Sequence, residues 1–182
     1  MPEAGLRELG IGPSGVAGLQ VTRKVFVPIG GGFVRYLEVM SNFGESPVSV
    51  SVEIRGSLTS GTATRVLVGP ADTSNTYAIT DAGAAATTTA TLGHVFAGEN
   101  APVEASDVSF ADGVLSYRFD VTVPAGGTTS IVHFAVQREA GDFNAARAQV
   151  QTLVNGNGDA FDEMTSEELS SIVNFALGGG GE

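Results

Sequence analysis

The stretch GVLSYRFDVTVPAGGTTSIVHFAVQ, residues 113–137, decides the fold. From Leu115 to Val123 every odd position is apolar and every even one polar, the period-two pattern of a strand with one buried and one wet face. Pro124 has no N–H to donate and ends that strand, while Gly126 and Gly127 supply the backbone freedom for a tight connection. The chain then resumes as SIVHFAVQ, apolar on both phases apart from His133. Such a strand is interior and needs cover on its second face.

The same alternation occupies VSVSVEIR, residues 48–55, with Val48, Val50, Val52 and Ile54 on one face and Ser49, Ser51, Glu53 and Arg55 on the other. Two one-sided strands argue for antiparallel sheet. The segments LQVTRKVFV, GFVRYLEVM, ATRVLV, NTYAIT, TLGHVFA and DVSF, each bounded by Gly, Pro, Asn or Asp, bring the expected total to eight or nine short strands. The expected fold class is mainly β: an antiparallel two-sheet β-sandwich. The Ala/Thr/Gly-rich piece ITDAGAAATTTATL reads as a long surface loop.

After residue 141 the period lengthens. Asp142 is placed to cap a helix over about 143–154, whose stripe is Phe143, Ala146, Val150, Leu153 and Val154. Thr165 and Glu168 form a capping box for a second helix over about 166–177, with Met164 and Leu169 as a hydrophobic staple. Its stripe is Leu169, Ile172, Val173 and Ala176, and Gly178 is the stop. Two short amphipathic helices supply the cover that SIVHFAVQ requires. Residues 1–177 thus read as one sandwich domain with C-terminal helices, and 178–182 as a Gly-rich tail or linker.

A chain of 182 residues buries a core large enough to fold without cross-links, and it has no cysteine. Thiol catalysis and Cys-ligated zinc are therefore excluded. Twenty acidic against nine basic side chains give a net charge of −11, which repels nucleic acid and anionic lipid. The single lysine, Lys24, leaves no basic cluster. No segment reaches the roughly 20 apolar residues of a membrane-spanning helix, so no membrane insertion is expected. The sequence from Met1 shows no charged-then-apolar signal pattern, and the glycine run before Glu182 reads as a flexible joint; the expectation is a module of a larger polypeptide.

The blocks VTRKVFVP, GGFVRYLEVMSN, GHVFAG, VPAGGTTSIVHFAVQ and SSIVNF, in order over about residues 18–177, resemble a β-sandwich module of large secreted bacterial surface proteins. That family has no settled activity. The resemblance implies export to the medium or cell surface, a multidomain parent with repeated domains, and a structural or adhesive role.

Candidate chemistry is sparse. His94 and His133 lie inside expected strands, and a sugar-opening sandwich of the mutarotase-like kind pairs such a histidine, as acid, with a carboxylate such as Glu38, as base. No spaced catalytic signature accompanies them: Glu38 reads as the wet side of its strand and His133 as a core or lid-contact histidine. No nucleophile elbow is present. The expectation is a protein that is not an enzyme, with no catalytic residue. In NGNGDAFDE, residues 155–163, the oxygen-bearing side chains of Asn155, Asn157, Asp159, Asp162 and Glu163 are the candidate ligands of a weak Ca2+ site. Against an EF-hand loop the segment fails at Ala160 and Ser166, and its plain reading is a helix-to-helix linker. Residues 139–182 hold eight acids and only Arg147, a solvated face or an acidic docking surface for a basic partner domain. There is no tryptophan, so a sugar-stacking platform rests on Tyr36 and Tyr77, with Tyr117 on the inward phase of its strand.

The expected function is a non-catalytic structural or adhesive module of a secreted or cell-surface assembly. Its partners are neighbouring domains or copies of itself, with a glycan as a further ligand. The alternatives are a carbohydrate-binding module and a shell or decoration protein of a virus-like particle.

Overall fold

The alternating segments form strands where the pattern places them. A computed structural model describes residues 2–3, 7–83 and 88–177. In chain order the strands are β1 (Pro2–Glu3), β2 (Glu8–Val16), β3 (Leu19–Phe26), β4 (Phe33–Ser41), β5 (Val48–Ser57), β6 (Arg65–Val68), β7 (Tyr77–Asp81), β8 (Thr91–Val95), β9 (Ser106–Ala111), β10 (Val114–Val123) and β11 (Thr128–Arg138). The helices are α1 (Phe143–Val154) and α2 (Ser166–Ser171). An eight-stranded antiparallel sheet runs β1-β2-β3-β4-β11-β8-β7-β6, and a three-stranded one runs β5-β10-β9. The β-sandwich is thus present, and α1 and α2 pack on the outer face of the large sheet.

The opening stretch crosses between the layers. β10 is the central strand of the small sheet and is paired on both edges, with Leu115, Tyr117, Phe119, Val121 and Val123 buried and its even positions turned outward. Pro124 to Gly127 then carries the chain into the large sheet as β11, which lies between β4 and β8. Successive residues of β11 face different cores. Ile131 packs under the small sheet, whereas Val132, Phe134 and Val136 pack under the helices. That division explains an apolar strand with no wet phase. Gly93 of β8 is needed where α1 crosses, because a Cβ there would collide with Val150.

Asp142 caps α1 by accepting from the Ala145 N–H at 3.2 Å, and the buried residues of α1 are Ala146, Val150, Leu153 and Val154. The Thr165–Glu168 capping box of α2 is formed from both sides. The second helix is shorter than its pattern implies and ends at Ser171 instead of near 177. From Ile172 the chain is extended, running parallel to β11 through a bridge between Ser130 and Ile172. The reason is Asn174. Its amide accepts from Val132 N–H at 2.9 Å and donates to Val132 O at 2.6 Å and Phe96 O at 2.8 Å. β8 pairs only with residues 134–138 of β11, so the first half of β11 has open backbone groups on that side, and Asn174 satisfies them. The tail 178–182 lies outside the described residues, as do 84–87 of the expected Ala/Thr loop.

β2 was not legible as a strand, because Gly10, Gly12, Pro13 and Gly15 interrupt its apolar residues. A register shift between Ile11 and Ser14 accommodates Gly12 and Pro13, and the rest of β2 pairs with β3. Ala17 and Gly18, both at positive φ, join the two strands in a tight turn. No helix among the described residues is long and apolar enough to cross a membrane.

Candidate functional site

The inner face of the large sheet carries a row of polar side chains. Arg23 on β3, Glu38 on β4 and His133 on β11 occupy the same phase as Leu19, Met40 and Ile131, all turned toward the small sheet. Glu38 is buried: its Oε1 receives the Arg23 Nε–H at 2.7 Å and lies 3.2 Å from His133 Nε2. A carboxylate oxygen accepts, so Nε2 carries the proton. Burial pushes the His133 imidazole below its ordinary pKa, with Glu38 acting in the opposite sense. The neutral ring thus presents a bare Nδ1, which receives the Tyr117 hydroxyl at 2.8 Å. Burial pushes the Tyr117 phenol up, and the nearby Glu38 charge adds to this, so Tyr117 stays a proton donor. An unbroken hydrogen-bonded chain therefore runs from half-exposed Arg23 through Glu38 and His133 to buried Tyr117.

Aromatic contacts hold this chain in place. Tyr36 stacks on His133 with ring centroids 4.9 Å apart and planes 12° from parallel, and the Arg23 guanidinium lies 5.8 Å from the Tyr36 centroid. Tyr117 meets His133 edge-on at 5.9 Å. His94 on β8 bonds Thr80 Oγ1 through Nε2 at 2.9 Å, and burial lowers its pKa to about 4. These groups are brought together by a cavity of about 280 Å³ between the two sheets, lined by Arg23, Tyr36, His94, Tyr117 and His133 among others.

The structure redistributes the expected site residues. Glu38 is not on a wet face; it lies under the small sheet and is paired. Tyr36 lines the cavity, but Tyr77 packs in the core beneath the helices, on the opposite face of the same sheet, so the two rings form no common platform. Strand periodicity causes the separation, since Tyr77 shares the phase of Val95 and Phe134 while Tyr36 shares that of His133.

In the segment 155–163, Asn155 and Glu163 have side-chain partners of their own and Asp162 is engaged through its backbone. Asn155 caps the end of α1, donating through Nδ2 to Gln151 O at 2.9 Å. Asp162 offers its carbonyl to Arg35 at 2.8 Å, and Glu163 is ion-paired with Arg7. Among the described residues no group of three or more His, Asp or Glu side chains is placed to hold a metal ion. Sequence reasoning passed over Arg35, which is almost wholly buried under the helices. It bonds Glu8 Oε2 at 3.2 Å and the carbonyls of Ala160 and Asp162, and lies over the Phe26 ring at 4.3 Å. One signal was available: Arg35 sits on the apolar phase of Phe33, Leu37 and Val39.

No protein-family model matches the chain, and no curated protein sequence matches it. Solved structures do. A kojibiose phosphorylase-type protein from the human microbiome shares the fold at a TM-score of 0.55 and 5% identity, over 84% of this chain and 20% of that one. An aldose 1-epimerase-type protein of Klebsiella pneumoniae superposes at a TM-score of 0.43 and 11% identity, over 84% of this chain and 54% of that one. The chain thus spans about a fifth of the first protein and about half of the second. The likeness is one of fold. It nevertheless corrects the expectation that the chain is not an enzyme, which rested on reading the sandwich as a scaffold without a reactive centre. A kojibiose phosphorylase-type protein carries this sandwich. Here, moreover, both imidazoles line one cavity between the sheets, and a buried carboxylate bonds one of them, His133.

Proposed function

We propose that this chain is a carbohydrate-binding β-sandwich module whose ligand occupies the cavity between the two sheets. One observation carries the reading: phenol, imidazole and guanidinium groups converge on a single cavity of about 280 Å³, close to the size of the smaller small-molecule sites. Tyr36 supplies a flat ring held by stacking, and His94 and Arg23 supply polar edges that orient hydroxyl groups. The fold shared with a phosphorylase-type protein supports the ligand class. The export and multidomain setting implied by the sequence resemblance belong to the same proposal, with the module displayed on a secreted assembly.

Calorimetric titration with neutral mono- and disaccharides tests it. Binding is expected with the native chain and is expected to weaken at least tenfold in Tyr36→Ala. No heat with any sugar at millimolar concentration would sink the reading.

The Glu38–His133 contact favours a second reading, in which the bound sugar also exchanges protons with the protein. The pair places a base and a proton-bearing ring nitrogen within hydrogen-bond reach of each other beside the cavity. The optical rotation of freshly dissolved α-D-glucose and α-D-galactose should then relax faster with the native chain than with Glu38→Gln. Equal rates would exclude it.

A further inference from the structure

A second cavity of about 430 Å³ adjoins the first on the same face of the large sheet. Its walls include Val16, Leu19, Val21, Met40, Val50 and Val52, and Glu38 and Glu53 also line it. Two features make the cavities neighbours. Glu38 borders the second cavity while its carboxylate bonds Arg23 and His133, which line the first. In addition, β5 runs over both, its residues 50–53 walling the apolar cleft and its residues 54–57, with Leu58 beyond it, walling the first cavity. At 3.3 Å per residue the two together follow β5 for roughly 25 Å. β5 is the edge strand of the small sheet, so both cavities lie along the open side of the sandwich.

Building on the carbohydrate reading above, we propose that the ligand is a glycoside with an apolar aglycone: the sugar sits in the first cavity, against its arginine, tyrosine and histidine groups, and an alkyl or aryl tail lies in the cleft under Val50 and Val52. A free sugar fills only the first cavity. The apolar end offers branched side chains and a methionine, which gain from contact with hydrocarbon and offer little to a hydroxylated ring. Val16, beside the β2–β3 turn, lines this cleft. Val16 is 57% exposed, an apolar side chain that a tail entering the cleft would cover.

A homologous series tests the proposal: methyl, hexyl and octyl β-D-glucosides and β-D-galactosides, used below their micelle concentrations, with 1-octanol as the tail alone. Each buried methylene strengthens binding roughly fourfold, so affinity is expected to rise at least tenfold from methyl to octyl glycoside. Val16→Asp places a charge at the cleft on an exposed position, and Val50→Thr changes the cleft without changing its shape. Both are expected to reduce the gain from the tail and leave methyl glycoside binding unchanged. A gain below tenfold, or one that survives both substitutions, would overturn the aglycone site and leave the carbohydrate reading standing. Octanol binding as tightly as octyl glycoside would show that the sugar contributes nothing and overturn both, as would a series in which no member binds.

Discussion

The large sheet buries charged groups on both faces, but in different surroundings. On the helix side Arg35 is enclosed by Glu8, two backbone carbonyls and the Phe26 ring. Lys24 extends this network, reaching Glu8 at 3.2 Å and Glu168 at 2.7 Å. Burial pushes the Glu168 carboxyl up, but its bonds from Lys24 and Thr165 outweigh that and hold it below the usual range. On the sandwich side, Arg23, Glu38, His133 and Tyr117 are also hydrogen-bonded in sequence, yet three of the four line an open cavity. A closed polar network fixes elements in place; one that borders free space can meet a ligand. Part of the acidity of the last forty residues has the first role, since Glu163 and Glu168 face cations of the large sheet and its flank.

Removing a closed partner should have the largest effect. Arg35→Ala leaves Glu8 with Lys24 as its partner but strips the carbonyls of Ala160 and Asp162 of their donor and opens a void beneath the helices, and should cost about 3–5 kcal/mol in urea unfolding. A loss below 1 kcal/mol would mean that the helices hold without it.

Acid should have the next largest effect, and it acts on the other face. Burial keeps both imidazoles neutral in the folded chain. Between pH 6.5 and about 4 the unfolded chain therefore binds protons that His94 refuses when folded, so stability is complete above that window and falls as the pH drops through it. His94 alone should account for a loss of about 3 kcal/mol by pH 4, and His94→Gln should flatten the decline. Parallel pH profiles for the two proteins would remove His94 from the account.

The smallest change in stability should come from Tyr117→Phe, which deletes one hydroxyl and costs about 1 kcal/mol. It leaves His133 Nδ1 without its donor beside the cavity, so sugar binding should suffer more than folding. A variant that loses stability but binds normally would move Tyr117 to the structural side of the comparison.

How much of this was legible in the sequence differs between strands and site. The alternation in residues 48–55 and 115–123 marked strands and their buried phases correctly, because period two is a property of the extended backbone itself. The capping box at Thr165 and the cap at Asp142 were equally local. β2 escaped because its glycines and proline, which read as loop, are tolerated where a register shift absorbs them. The end of α2 was misjudged because the amphipathic pattern runs on past Ser171; helix propensity lost to the open edge of β11, which Asn174 fills.

The site was the least legible part. Glu38 and His133 were each visible as chemistry-bearing residues, but 95 positions separate them and no spacing rule joins them. Only the pairing of β4 with β11, with His133 opposite Tyr36 and Ile131 opposite Glu38, brings carboxylate and imidazole together. In the two alternating strands, β5 and β10, the sequence by itself determined which residues turn inward, since that follows from backbone geometry within a few neighbours; for Glu38 and Arg35 on β4 it did not. Tertiary structure alone decided which inward polar residues meet, and whether they meet in a packed core or beside a cavity, because strand order is set by burial summed over the whole chain.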